Sequence, residues 1–341
     1  MNFESSALKN FRNLRGARLK WAPGINLILG PNGSGKTNLL ESLNVLAGWG
    51  TFGRTGRAVS WGEERALLGA RVVGEEEHEL QVQISTRMTP HLDERTISCT
   101  DLRRIVPSIT FLPVDINLVD GSPSVRRLFV DRLCALCSPP YARRLSEFHQ
   151  ISRHRAALLR QNKPVRGTTL PFARLGGWIM EVRRQVVSCL SALDNPAPLC
   201  AALPFSFSMT PALGGNGADY LLHALEERAE RERFALRPLV GPGHDDLEMT
   251  VSGRPAAEAL SRGQKRRLVL SLILRAGRLI EAHLRRKPVL FFDDLAAELD
   301  AEGRQSAGVA LLSTGWQVFI TGTEDPFPSL ESSSVFLPLL R

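Results

Sequence analysis

Apolar and polar residues alternate in FESSALKNF and again in ARLKW, and Pro23-Gly24 marks a turn before the apolar strand Ile25 to Leu29. A period of two predicts strands on both sides of that turn. Helical spacing follows from about Asn38 to Ala47, ended by Gly48 and Gly50. Residues 65–84, RALLGARVVGEEEHELQVQI, predict two strands around an acidic turn, and VPSITFLP at 106–113 predicts another.

From about Ser124 the period lengthens. SVRRLFVDRLCAL, YARRLSEFHQISRHRAALLR and ARLGGWIMEVRRQVVSCLSAL predict helices, separated by Pro139-Pro140 and by KPVRGTTLP. The proline-rich NPAPLCAALPFSFSM ends in a strand, and YLLHALEERAERERFA at 220–235 reads as one helix. Strands return near DLEMTVSG, and a long helix runs from about Gly263 to His283. KPVLFFDD at 287–294 is an apolar strand ending in carboxylates, and QVFIT at 317–321 reads as the last strand. The pattern predicts an α/β core built from both chain ends, residues 1–114 and 236–341, with an inserted, mainly helical lobe at 115–235 and no internal repeat.

Composition adds little to the fold but narrows the partners. In 341 residues, 43% hydrophobic and 23% charged describe a folded globular protein rather than a disordered one. No stretch nears the roughly 20 apolar residues of a bilayer span, and MNFESSALKNFRN lacks a signal-peptide core, so the expectation is a cytoplasmic protein with no membrane partner. Five cysteines, widely spread, argue against a disulfide framework. Cys134 and Cys137 form a C-x-x-C within a helical run, where they read as small buried hydrophobes, the alternative being a metal or redox pair. A net charge of +8, mostly from arginine, favours an anionic partner.

The chemistry is concentrated in GPNGSGKT, residues 30–37, between the strand at 25–29 and the helix that follows. Gly30, Gly33 and Gly35 permit backbone geometries that a Cβ obstructs, so the N–H groups of residues 31–36 can converge on phosphate oxygens in front of a helix N-terminus. Lys36 can reach the outer phosphates and Thr37 can place its hydroxyl on Mg²⁺. Candidate cofactor-binding positions are Gly30, Asn32, Gly33, Ser34, Gly35, Lys36, Thr37 and Asn38. At the end of VLFF, Asp293 is the candidate Mg²⁺ ligand and Asp294 a second carboxylate able to orient an attacking water, the alternative being a helix-capping turn. Ser261 and Gly263 precede a helix in LSRGQKRRLVLSLILRAG and offer a second anion site, whose phosphate is best supplied by a partner subunit's ATP.

These residues resemble those of the ABC-type ATPases of the SMC-related DNA-repair branch, and within it the RecF-like proteins. The resemblance runs through LKNFRNL, GPNGSGKTNLLES, FLPVDINLVDGSPSVRRLFVD, RHRAALL, GPGHDDLEM, LSRGQKRRLVLSL, LFFDDLAAELD and QVFITGT. It implies an ABC ATPase head with a compact helical arm and an ATP-dependent homodimer. Each composite site pairs Lys36, Thr37 and Asp293 of one subunit with Ser261, Gly263 and Gln264 of the other, and Asp300 acts at the seam. It also implies ATP and Mg²⁺ as cofactors, slow hydrolysis, and binding to double-stranded DNA at single-strand gaps or junctions, with RecR and RecO, to promote RecA loading.

Four positions depart from the family pattern. Gly243 stands for a histidine and His244 for an arginine in GPGHDD, Ala297 for a serine before ELD, and Ala156 for an asparagine in the helical segment. Candidate duplex contacts are Arg126, Arg127, Arg143, Arg144, Arg153, Arg155, Arg183, Arg184, Arg266 and Arg267, with Arg12 added by the resemblance; the alternatives are ordinary solvated helix faces and, for Arg126 and Arg127, the nucleotide site or the head-to-lobe contact. Competing functions are the ATPase subunit of a transporter and an ABC-fold ATPase of a defence or toxin system.

Overall fold

The computed structural model describes residues 1–194, 205–210, 215, 217–295, 299, 301–327 and 333–336. In chain order the strands are β1 (Asn2–Phe11), β2 (Leu14–Lys20), β3 (Ile25–Leu29), β4 (Ala66–Val73), β5 (Glu77–Ile84), β6 (Met88–Leu92), β7 (Arg95–Thr96), β8 (Ser108–Phe111), β9 (Phe205–Thr210), β10 (Asp246–Val251), β11 (Arg254–Pro255), β12 (Val289–Phe292), β13 (Val318–Gly322) and β14 (Ser333–Phe336). The helices are α1 (Lys36–Leu46), α2 (Cys99–Ile105), α3 (Asn117–Asp120), α4 (Pro123–Cys137), α5 (Tyr141–Arg160), α6 (Arg166–Ala192), α7 (Ala218–Glu227), α8 (Ala229–Ala235), α9 (Ala256–Ala259), α10 (Arg262–Leu284) and α11 (Ala301–Thr314).

The described residues fall into two compact units, one from Met1–Asp115 with Ser261 onward, the other from Ile116–Asp194 with the segment ending at Leu260. In the first, a sheet ordered β2-β1-β4-β5-β6-β7 is antiparallel throughout, and a second ordered β14-β3-β13-β12-β8 is parallel. Strict alternation in β4 and β5 buries Ala66, Leu68, Ala70, Val72, Leu80, Val82 and Ile84 on one face. The central strands β3, β12 and β13 are buried almost throughout and mostly apolar because both their faces are covered, with Asn26 and Thr321 the polar exceptions. Helix α1 contacts β1, β4, β5 and β13, so the core lies around it, closed by Trp21, Phe3, Phe291 and Phe319. Gln317 seals the far end: its Nε2 donates to Phe3 O at 2.8 Å and its Oε1 accepts from Phe3 N at 2.7 Å.

The second unit packs α4, α5 and α7 on α6 and carries a small sheet ordered β11-β10-β9. Gly177 of α6 lets α7 approach: a Cβ there would stand 2.3 Å from Ala218 N. Residues 236–260, read from sequence with the head, belong instead to this unit because β10 pairs antiparallel with β9 along its whole length and packs on α4. The run 220–235 is two helices, α7 and α8, rather than one. A strand beyond QVFIT exists as well: β14 pairs in parallel with β3. Cys134 is buried and Cys137 partly so, and burial pushes both thiols up, Cys137 to about 11, away from the thiolate that metal or redox chemistry uses.

Candidate nucleotide-binding site

Strand β3 delivers the chain to the loop at 30–35, and α1 leaves from it. Gly33 and Gly35 hold φ of 82° and 98°, in the left-handed region that glycine alone adopts readily. At Gly35 the approach is also close, since a Cβ would lie 2.9 Å from Leu14 Cδ2 and 3.0 Å from Asn13 Oδ1. The hairpin that supplies Asn13 is latched to α1 by three bonds. Arg12 donates from Nε and Nη2 to Glu41 at 2.9 and 2.6 Å, and Asn38 Nδ2 donates to Asn13 Oδ1 at 2.7 Å. Arg12, a DNA candidate in the sequence, therefore braces the helix that follows the glycine loop.

No side chain caps the N-terminus of α1, and no acidic residue sits in its first turn. Those first N–H groups and the helix dipole face the glycine loop, the arrangement that suits an anion. Lys36 Nζ reaches back across the loop to Gly30 O at 2.7 Å and Pro31 O at 2.8 Å. Ser34 Oγ is buried within the loop with no hydrogen-bond partner among the described residues.

Thr37 and Asp293, 256 positions apart in sequence, meet here. Thr37 Oγ1 lies 2.9 and 3.1 Å from the two carboxylate oxygens of Asp293, which is 9% exposed at the end of β12. Thr321, on β13, was not among the sequence candidates. Its buried hydroxyl donates to Asp293 Oδ1 at 2.7 Å and accepts from Asp294 N at 2.9 Å. Asp294 is exposed with φ of 52°, an unusual backbone for a non-glycine residue directly after the strand.

At the other candidate element, Ser261 is the N-cap of α10 in a reciprocal capping box: its N–H donates to Gln264 Oε1 at 2.9 Å and its Oγ accepts from Gln264 N at 3.4 Å. Ser261 is exposed and Gly263 half-buried. Asp300 and Ala297 lie outside the described residues.

Chain comparison fits this geometry. The model of the RecF/RecN/SMC N-terminal domain matches residues 3–334. The DNA replication and repair protein RecF of Heliobacterium modesticaldum is 31% identical over 95% of this chain and 92% of its own, and that of Deinococcus deserti 33% identical over 95% and 91%. This chain belongs to the RecF family. The same fold is seen in a structure of the recombination mediator protein RecF–ATPrS in the RecFOR pathway, with a TM-score of 0.87 at 22% identity over 100% of this chain and 98% of that one. An SMC head bound to the C-winged-helix domain of ScpA matches with a TM-score of 0.56 at 16% identity, over 96% of this chain and 90% of that one. The RecF-family fold is thus an ABC-type ATPase head of mixed sheets joined to a helical insertion.

The structure sorts the candidate arginines of this RecF-family chain. Arg126 forms a bidentate pair with Asp246 at 2.7 and 2.8 Å, and Arg127 donates to Asp245 O at 2.8 Å. Arg155 is 1% exposed and donates from Nε and Nη2 to the wholly buried Glu232. Arg183, 3% exposed, bonds Asp131, Asp245 and Pro242 O. Arg126, Arg127, Arg155 and Arg183 therefore hold the second unit together, and GPGHDD supplies three of their acceptors. Burial pushes the Asp245 carboxyl up to about 6, with Arg183 pulling it back, and its Oδ1 has no partner. Arg144 stacks on Trp178 at 4.4 Å, and Arg267 pairs with Glu302 at 3.2 Å. Arg143, Arg153 and Arg184 are exposed. Gly243 is exposed with open space where a Cβ would stand, so no steric demand selects glycine there. Among the described residues no helix is long and apolar enough to cross a membrane.

Proposed function

We propose that this chain is an ATP-dependent, double-stranded-DNA-binding protein of recombinational repair and replication-fork maintenance. An ATP-bound dimer acts at single-strand gaps with RecO and RecR to promote RecA loading, and slow hydrolysis releases it. The observation that carries this reading is the meeting of Thr37 and Asp293 beside an uncapped helix N-terminus.

The residues fit ATP with Mg²⁺. Bound nucleotide would supply negative charge, and Mg²⁺ would neutralise part of it. The α1 N–H groups and Lys36 would bind phosphate oxygens, and Thr37 and Asp293 would hold the metal. Thr321 fixes the Asp293 carboxylate. Asp294 orients water, Ser261, Gly263 and Gln264 present the α10 N-terminus to the partner's nucleotide, and Asp300 acts at the seam.

Fluorescence anisotropy on a gapped duplex, at one fixed salt concentration with Mg²⁺, tests this with ATP, ADP or no nucleotide. Binding tightens with ATP alone, and Lys36→Met abolishes the tightening while leaving the thermal melt in place. Equal binding in all three states, or an unchanged ATP response in Lys36→Met, defeats the assignment.

A further inference from the structure

The register of the antiparallel sheet sets out rows of side chains across its outer face. Leu8, Leu68 and Val82 enter the core, so Ala7, Lys9, Leu67, Gly69, Gln81 and Gln83 face the other way. Pairing aligns Arg18, Ala7, Gly69, Gln81 and His91 in one row. The middle of that row is alanine and glycine, and a trough of about 790 Å³ lies over it. The rows two residues to either side are about 13 Å apart, enough for one nucleic-acid strand.

The charge is one-sided. Lys9, Arg15 and Arg18 line the trough, with no side-chain hydrogen bond or ion pair to a described residue. The face's carboxylates, Glu4, Glu77 and Glu79, gather instead around Arg71 in another row.

A turn carrying an exposed aromatic residue follows the Lys9–Leu67 end of the pairing. Leu67 pairs with Lys9 and Ser60 N donates to Asn10 O at 2.9 Å, so residues 61–65 loop out between neighbouring positions of β1 before β4 begins at Ala66. The turn is pinned: Glu63 N donates to Ser60 O at 3.1 Å, Gly62 holds φ of 84°, Asn10 Nδ2 donates to Glu63 at 2.8 Å, and Ser60 Oγ donates to Arg12 O at 2.8 Å. Trp61, at its tip, has a relative exposure of 102%. A tryptophan held in water by a braced turn is preorganised for stacking.

We propose that this trough tracks the backbone of single-stranded DNA, with Trp61 stacking on a base at its end. Spaced cations, amide side chains and one aromatic platform suit sequence-independent single-strand binding, and an unstacked base is what a duplex does not offer. The inference rests on the reading of the chain as a DNA-binding ATPase and adds where the unpaired strand of a gap is held.

The test is anisotropy of the full chain on labelled oligo-dT and, separately, on a continuous duplex with ATP. Lys9→Ala/Arg15→Ala/Arg18→Ala weakens oligo-dT binding and flattens its log–log salt slope by about 2, with duplex affinity and nucleotide affinity within twofold of the parent. Trp61→Ala weakens oligo-dT binding by roughly 5- to 150-fold, and Trp61→Phe restores most of it. The proposal is overturned if the parent does not bind oligo-dT, if the variants bind it normally, if duplex binding falls in parallel, or if the variants keep DNA and lose only RecR. Should the parent bind duplex without regard to ATP, the proposed function fails while the oligo-dT titration still decides the trough.

Discussion

Replacing Arg155 with methionine separates a structural arginine from a DNA contact. The guanidinium donates to Glu232 Oε2 at 3.1 and 2.7 Å and to the hydroxyls of Thr168 and Thr169 at 3.2 and 3.0 Å, with the carboxylate side chain 0% exposed. Its removal leaves Glu232 the Leu239 N–H at 2.9 Å but takes away its ion-pair partner. Breaking a buried pair from one side costs about 3–5 kcal/mol. At a urea m-value of about 2 kcal/mol/M, the midpoint falls by roughly 2 M. Far-UV circular dichroism at 222 nm reads it, since the unit containing Arg155 is mostly helical. Arg155→Met/Glu232→Gln removes both charges but keeps the acceptor for Leu239, so its loss is smaller than the sum of the two single losses by about 2 kcal/mol or more. The salt slope of duplex binding stays unchanged. A midpoint shift under about 0.5 M together with a shallower salt slope would refute the reasoning and return Arg155 to the DNA-contact set.

Thr321→Val removes the hydroxyl that orients Asp293 and caps Asp294 N, and weakens Mg²⁺-dependent binding of a fluorescent ATP analogue by about 10-fold or more; unchanged affinity removes Thr321 from the site. Gly177→Ala drives a methyl group into the Ala218 and Gly217 backbone and lowers stability by about 1–3 kcal/mol, whereas Gly56→Ala, with nothing within 4 Å, does not; equal melting temperatures contradict the α6–α7 approach. Asp245, raised to about 6 by burial, sits above its unfolded value of about 3.9. Its contribution to stability is therefore full below about pH 4 and lost as pH rises through about 6. The stability difference between parent and Asp245→Asn shifts by about 2–3 kcal/mol between pH 4 and 7, read from urea midpoints, and a flat difference counts against the buried carboxyl.

The strand, glycine loop and helix at 25–46 and the strand that ends at Asp293 were legible because each is local: one run of signals, and carboxylates closing an apolar strand. Thr321 was not, since its meaning lies in a bond to a residue on the neighbouring strand. The arginines misled for the same reason. On α4, α5 and α6 they read as helix faces turned to solvent or DNA, but the partners of Arg126, Arg127 and Arg183 include the acidic pair after GPGH, and that of Arg155 is Glu232 on α8. The single helix read at 220–235 failed there too, because in EERAERER no apolar stripe signals that Glu232 turns inward. β14 was missed because SSVF is only four residues long, with two apolar ones and no alternation to mark it.

The parallel sheet places β3 between β14 and β13, so the strand that leads into the phosphate loop has no sheet neighbour until residues 318–336 are made. During synthesis the Ile116–Leu260 segments are complete before Asp293 leaves the ribosome. Folding is thereby staged, with the locally connected helical unit first and the meeting of Thr37 with Asp293 last. A chain that stops short of β12 carries the glycine loop without the carboxylate that Thr37 meets.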